Sequence, residues 1–291
     1  MPATDHQRPV VPFAVATAAI IVFTTMDAVV KAVPSGLPTI QVAAMRFAMG
    51  IPLVLLALWW VRGGWPSAAS WRANAPRGLL TVASTVLFFT ALRRLPFAEA
   101  LALSYFGPLL IAVLAALLLK ERLRADVFGA VLLGLAGVGV IAWDTLSEAD
   151  GLSGDVVGIA AAVGSAFTYA LNTVLLRKQA QRDNATSIVL ILHIVPALIT
   201  VPIAAADWYV PSVQLWLVFA LVAALGVSGH FLLTWAFGRA RAGILAIVDY
   251  LALPYAAVVG FVFFGEVPPV AVWVGAGLIV VACLIVTRRP R

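Results

Sequence analysis

Ten apolar runs occupy almost the whole of this sequence, at about residues 11–33, 39–61, 77–94, 97–119, 126–143, 156–177, 186–205, 213–237, 243–264 and 270–287. A membrane-spanning helix needs roughly 20 consecutive apolar residues, and these runs meet that requirement repeatedly. Composition leaves lipid as the only suitable solvent. Hydrophobic residues make up 63% and charged residues 11%, against roughly 45–50% and about 25% in a soluble domain. The loops are short. The longest, about 62–76, contains Gly63, Gly64 and Pro66, and its Trp65 and Trp71 are expected at the headgroups. No segment is large enough for a soluble domain. The first run lacks a clear cleavage site and is expected to be a retained helix. The single cysteine, Cys283, excludes an intrachain disulfide.

A fixed period organises the runs. The stretch from Ala91 to Leu123 contains Leu-Arg-Arg-Leu-Pro, an apolar run through Tyr105 and Pro108, then Lys-Glu-Arg. A degraded copy begins at Ala236, passes through Tyr250 and Pro254, and ends at Glu266. A shift of 145 residues pairs Ala91 with Ala236, Arg94 with Arg239, Tyr105 with Tyr250 and Glu121 with Glu266. The shift is about half the chain, so the architecture is expected to be two copies of one design, residues 1–145 and 146–291.

Lys and Arg set the orientation, because they are retained on the cytoplasmic side. With the N-terminus inside, 15 of the 19 basic residues fall inside, Arg77 and Arg177 among them. Lys31, Arg93 and Arg94 fall outside and Arg46 lies within a helix. The fifth loop carries Asp144, Glu148, Asp150 and Asp155 and no basic residue. Both termini are therefore expected in the cytoplasm, and helices 1 and 6 run in opposite directions. The expected fold is an all-α integral membrane protein of ten transmembrane helices in two inverted five-helix repeats, a plan common among secondary transporters. The net charge of +6 reflects basic residues at helix ends, not a nucleic-acid footprint.

Ionisable groups at membrane depth are costly, about 2.5–3.5 kcal/mol each on insertion scales, and so are functional candidates. Helix 1 carries Thr17, Thr24, Asp27 and Lys31 on one face, and helix 6 carries Ser165, Tyr169 and Asn172 on one face. The 145-residue shift maps Thr24 onto Tyr169 and Asp27 onto Asn172, as two walls of one cavity would require. Each small polar group could instead bond its own backbone or a neighbouring helix. Asp27 and Arg46 lie at matching depths of a helical hairpin and are expected to pair or share a site, with Glu99 near enough to join. Lys31 is an alternative partner for Asp27. In the second half, His193, His230 and Asp249 lie nearer the cytoplasm, suggesting an outer and an inner gate opened alternately.

Pro108 and Pro254 interrupt helices 4 and 9, because proline removes a backbone bond to the residue four earlier. The freed carbonyls belong to Ser104 and Tyr250, beside Tyr105 and Asp249. Broken helices in matching places of two halves point to a transporter's site. Helices 5 and 10 are instead rich in glycine and nearly free of polar side chains, which suits close packing in a scaffold. No phosphate-binding glycine loop, metal-ligand spacing, nucleophile elbow or ring of like charge occurs in the sequence. No cofactor or metal is expected, and an enzymatic role is not.

The repeat resembles the EamA family of the drug/metabolite transporter superfamily. The residues that carry the resemblance are Ala98, Pro108, Glu121, Gly129, Gly134 and Gly137, then Pro254, Gly265, Glu266, Gly275 and Gly277. The spacing from proline to glutamate is 12 in the second copy and 13 in the first. Within the family the chain is most similar to bacterial amino-acid exporters, including the aromatic type. The resemblance implies a bacterial inner-membrane carrier exporting small metabolites by alternating access, with Glu121 and Glu266 as structural or gating residues. The expected substrate site is Thr24, Asp27, Ser104, Tyr105, Tyr169, Asn172, Asp249 and Tyr250, between helices 1, 3, 4, 6, 8 and 9. Arg46, Glu99, Pro108, His193, His230 and Pro254 are the expected gating or structural set. An amino acid and the bilayer are the expected partners, and ten helices are compatible with a functional monomer. Carriage of another metabolite or organic cation remains open at this point, as does a membrane scaffold or embedded enzyme that moves no solute.

Overall fold

Lipid offers no partners to backbone N–H and C=O groups, so a spanning segment must satisfy them internally. The computed structural model describes residues 10–34, 36–95, 103–121, 125–148, 155–264 and 270–288, and these form helices and turns with no strand among them. Glu99, Ala98, Gly265 and Glu266 lie outside the described residues. The helices are α1 (Val10–Lys31), α2 (Thr39–Trp60), α3 (Ala68–Arg94), α4 (Gly107–Leu119), α5 (Ala125–Glu148), α6 (Val156–Ala180), α7 (Ala185–Ala205), α8 (Val213–Arg239), α9 and α10 (Val270–Arg288). Helix α9 comes in three pieces: Ala242–Leu245, a 3-10 segment Ala246–Leu251, and Ala252–Phe264. Seven of the ten are long and apolar enough to cross a membrane, and the other three carry apolar stretches at Gly107–Leu119, Ala125–Val140 and Val270–Ile285. The expected ten-helix architecture is present.

Polar caps fix several starts. The side chains of Ser67, Asp155, Asn184 and Ser212 accept from the backbone N–H of Ser70, Gly158, Ser187 and Leu215. Each satisfies a donor that the first helical turn leaves free. At Asp155 this bond, with Arg94 beside it at 3.2 Å, holds the carboxyl below its usual range. Helix α3 departs from the sequence reading. It starts at Ala68, well before 77, because Ser67 caps it. Its first turns carry Ser70, Trp71, Arg72 and Asn74, which masked the helix from a search for apolar runs. Arg77, expected at the first position of the third run, is therefore more than two turns inside the helix and 1% exposed.

The two broken helices differ in detail from expectation. Residues 103–104 are helical, Tyr105 and Phe106 form a turn, and Pro108 sits in the first turn of α4. Its missing N–H costs nothing there. Pro254 likewise follows the 3-10 segment and does not kink a continuous helix. A 3-10 stretch in mid-span is a frequent hinge.

Packing obeys a pseudo-two-fold relation that exchanges the halves. Helix α1 packs on α8 as α3 packs on α6. The α2–α8 contact matches α3–α7, and α1–α9 matches α4–α6. Two pairs, α2–α7 and α5–α10, are their own counterparts across the axis. Tyr105 and Tyr250, one repeat apart, stack across it with ring centroids 6.1 Å apart.

Close helix approach needs small residues. A Cβ on Gly137 of α5 would meet the Gly275 carbonyl oxygen of α10 at 2.7 Å, with Ile279 and Leu278 beside it. The obstacle is backbone and cannot rotate away. Gly137→Leu is expected to lower the melting temperature in detergent, at a cost of about 1–3 kcal/mol. Gly139→Leu, where a Cβ has nothing within 4 Å, should melt near the parent and serves as the control.

Both ends of the bundle are tied across the halves. The C-terminal ends of α2, α4, α6 and α8 share a face whose exposed residues include Arg62, Arg72, Lys120, Lys178, Arg182, Arg239 and Arg241, here called the basic face. There Glu121 pairs with Arg177 at 3.3 Å and accepts from the Ala242 N–H, while Arg177 donates to the Phe237 carbonyl at 2.7 Å. Lys120 closes α4 in the left-handed region at φ 55° and turns the chain so that Glu121 meets Arg177. Nearby, Ser70 and Asn74 of α3 donate to the Asp183 carboxylate in the α6–α7 turn at 2.7 and 3.0 Å. On the opposite face the Gln41 amide exchanges two hydrogen bonds with the Tyr209 backbone, and Arg94 pairs with Asp155.

Candidate functional site

The two polar stripes of α1 and α6 meet. Thr24 and Asp27 face Tyr169 and Asn172 across one cavity of about 270 Å³ at the centre of the bundle. Ser104, Tyr105 and Pro108 enter from the break before α4, and Asp249 from the 3-10 segment of α9. The breaks matter because they place short polar side chains where a continuous helix would present its packed surface. Helices α2 and α7, absent from the expected list, contribute Arg46 and Leu192.

The charges are arranged in groups. Asp27 and Arg46 act on one another electrostatically and both line the cavity, yet no ion pair joins them among the described residues. The side chain of Lys31, the alternative partner, lies outside the described residues. Arg46 instead reaches His230 of the other half, with Nη2 and Nε2 at 3.4 Å. His193 stands behind His230, edge to face at 5.6 Å, and its Nδ1 faces the Val189 carbonyl at 2.8 Å. The ionisable groups of the two halves therefore do not form separate outer and inner clusters. Arg46 and His230 connect them, because α2 packs directly on α8. Asp249 lies beside Tyr169, and their electrostatic coupling is direct.

One residue of the expected substrate site is not on the cavity wall. Tyr250 is fully buried behind it, its ring laid over Gly134 of α5 where any Cβ would collide. The reason is geometric: in the 3-10 segment Asp249 points inward, so its neighbour points away. Pro254 and His193 also lie off the wall. Thr17 donates to the Phe13 carbonyl of its own helix, the structural alternative that its residue type always allowed.

The sequence reading placed helix 3 beside the cavity but named none of its polar residues. Helix α3 lines the cavity with Arg77, Thr81, Ser84, Thr85 and Phe88, spaced as one face of a helix. Thr81 Oγ1 accepts from Asn172 Nδ2 at 3.0 Å, joining α3 to α6. Two signals could have found this face. The polar spacing is one. The other is the repeat itself, since the 145-residue shift carries the Ser212 cap of α8 onto the Ser67 cap of α3.

Several polar atoms around the cavity are buried without a hydrogen-bond partner among the described residues: Asp249 Oδ2, Asn172 Oδ1, Arg46 Nε and Arg77 Nε. Buried polar groups normally have partners, and a cluster of exceptions needs an explanation. Here two acceptors and two donors border one space. No group of three or more metal-ligating side chains occurs among the described residues.

Comparison with known proteins identifies the family. A family model described as the EamA-like transporter family matches residues 11–143 and again residues 156–288. The chain is 28% identical to the pseudopaline exporter CntI of Pseudomonas aeruginosa over 92% of its own length and 93% of the relative's. It is 26% identical to a riboflavin transporter of Vibrio cholerae, over 87% and 84% of the two lengths. A crystal structure of another protein superposes with a TM-score of 0.79, covering 95% of this chain and 98% of that one at 24% identity. Two family matches in tandem, related as the two halves of the bundle are, make this chain a multi-pass membrane transporter belonging to the EamA-like transporter family.

Proposed function

We propose that this chain exports amino acids, aromatic ones included, across the bacterial inner membrane by alternating access, with both termini and the basic face toward the cytoplasm. The observation that carries the reading is the set of buried acceptors and donors without a hydrogen-bond partner among the described residues on one cavity's lining residues: Asp249 Oδ2, Asn172 Oδ1 and Arg46 Nε. A zwitterion presents an ammonium donor and a carboxylate acceptor, and this wall is complementary to both. Asp249, with Asp27 nearby, receives the ammonium. Thr24, Ser104, Tyr105 and Tyr169 complete the polar rim, and Phe23, Phe88 and Phe89 provide apolar walls for a varied side chain. A cavity of about 270 Å³ suits a small solute. The export direction is supported by the exporter among its relatives. The halves 1–145 and 146–291 rock about the shared axis, and opening the basic face requires release of Glu121–Arg177 and of Asp183 from α3.

Counterflow in proteoliposomes tests this reading. Vesicles preloaded with neutral, aromatic or charged amino acids and given a trace of labelled amino acid outside are expected to accumulate label saturably. Exchange only with other metabolites or organic cations would keep the carrier and replace its substrate. No exchange of any solute by folded, inserted protein would end the transport reading for this cavity.

A further inference from the structure

Arg77 is a buried cation. It is 1% exposed and borders the cavity, and no carboxylate lies within ion-pair distance of it among the described residues. Arg46, the other cavity guanidinium, differs because Asp27 offsets it electrostatically. A guanidinium stays protonated in proteins. Burying one uncompensated costs several kcal/mol even after relaxation, so buried charges are ordinarily paired. One nitrogen of Arg77 is fixed: Nη1 donates to Asn74 Oδ1 at 3.0 Å. That leaves the edge formed by Nε and Nη2, and Nε has no partner among the described residues. This edge is the fork that takes a carboxylate or phosphate through two parallel N–H···O bonds.

The anchor continues to the surface. Asn74 Nδ2 donates to Asp183 Oδ2 at 3.0 Å and to the Ser70 carbonyl at 3.0 Å, and Ser70 Oγ donates to Asp183 Oδ1 at 2.7 Å. Arg77, Asn74 and Asp183 thus form one hydrogen-bonded line from the cavity to the α6–α7 turn on the basic face. We propose that Arg77 docks the anionic group of the transported solute, a carboxylate or a phosphate, and that Asn74 positions its guanidinium against the Asp183 tie. The proposal deepens the amino-acid reading and rests on it for the solute, but not for the anion.

The test uses the full chain and two readouts. In detergent, melting temperature is followed against sodium acetate or sodium phosphate, with sodium chloride at equal ionic strength as reference. The parent protein is expected to be stabilised by at least one of the two oxyanions. Arg77→Gln should need at least tenfold more of it, Arg77→Lys should keep part of the response, and Asn74→Ala should weaken it several-fold. In proteoliposomes, Arg77→Gln should raise the half-saturation for an amino acid at least tenfold and leave that for its decarboxylated amine unchanged. A response to phosphate alone that Arg77→Gln removes upholds the anion site and assigns a phosphorylated solute. If no amino acid exchanges but the oxyanion response still depends on Arg77, the docking site stands and the amino-acid reading falls. Equal oxyanion responses in the parent, Arg77→Gln and Arg77→Lys would overturn the proposal. If Arg77→Gln does not fold, the Arg77→Lys and Asn74→Ala responses decide it, and parent-like curves from both would overturn it equally.

Discussion

Asp249→Asn protein, reconstituted into proteoliposomes, is expected to exchange labelled amino acid at least about 30-fold more slowly than the parent, with its melting temperature within a few degrees. The substitution keeps shape and removes charge. Asp249 Oδ2 is buried at the cavity and has no hydrogen-bond partner among the described residues, so nothing in the described fold depends on its accepting there. A solute ammonium does. Losing a charge-assisted bond in a desolvated site costs about 2–5 kcal/mol, and about 1.4 kcal/mol is tenfold in rate or affinity. Tyr250→Phe is the matched control. Tyr250 adjoins Asp249 in sequence but lies behind the wall, and its hydroxyl makes no hydrogen bond among the described residues. That variant should transport like the parent. Parent-like exchange by Asp249→Asn would remove the carboxylate from the ammonium site.

Arg177→Ala is expected to be the most destabilising change at the basic face. Arg177 is 9% exposed, and it ties the ends of α4, α6 and α8 together through Glu121 and the Phe237 carbonyl. Glu121 also holds the first N–H of α9. Removing one member of a largely buried pair leaves the other charge unpaired, at a cost of about 3 kcal/mol. Glu121→Ala should cost less than Arg177→Ala, because the Phe237 bond survives it. The double variant should be more stable than the sum of the two single losses predicts, by about 0.5–3 kcal/mol of coupling. Thermal melts of the four proteins in one detergent complete the cycle. Strict additivity would mean that the pair contributes nothing as a pair.

How much of this site was legible follows from residue type. Asp27, Arg46, Tyr169, Asn172 and Asp249 stand out because lipid makes a polar group inside an apolar run conspicuous. The shift of 145 residues placed Asp27 and Asn172 at equivalent depths, and both line the cavity. Arg77 was invisible by the same criterion. It follows Ser70, Arg72 and Asn74, so the first turns of α3 read as loop, and only the cap at Ser67 and the buried bond to Asn74 make them helix. Tyr250 shows the opposite error. A tyrosine beside a proline and an aspartate reads as a site residue, yet the 3-10 segment turns it onto Gly134. Local hydrogen bonding decided that rotation, and a one-residue change of face lies below what helical periodicity can resolve.

By itself the sequence determined the solvent, the all-helical fold and the ten helices. These follow from hydropathy and helix length, which are local properties of the chain. Only the tertiary structure decided which polar groups share a space. Arg46 meets His230 across 184 positions of sequence, and Asn172 meets Thr81 across 91. Those encounters depend on how α2 packs on α8 and α3 on α6. Between helices already immersed in lipid, such packing is set by small residues and interhelical hydrogen bonds, with no hydrophobic pattern to announce it.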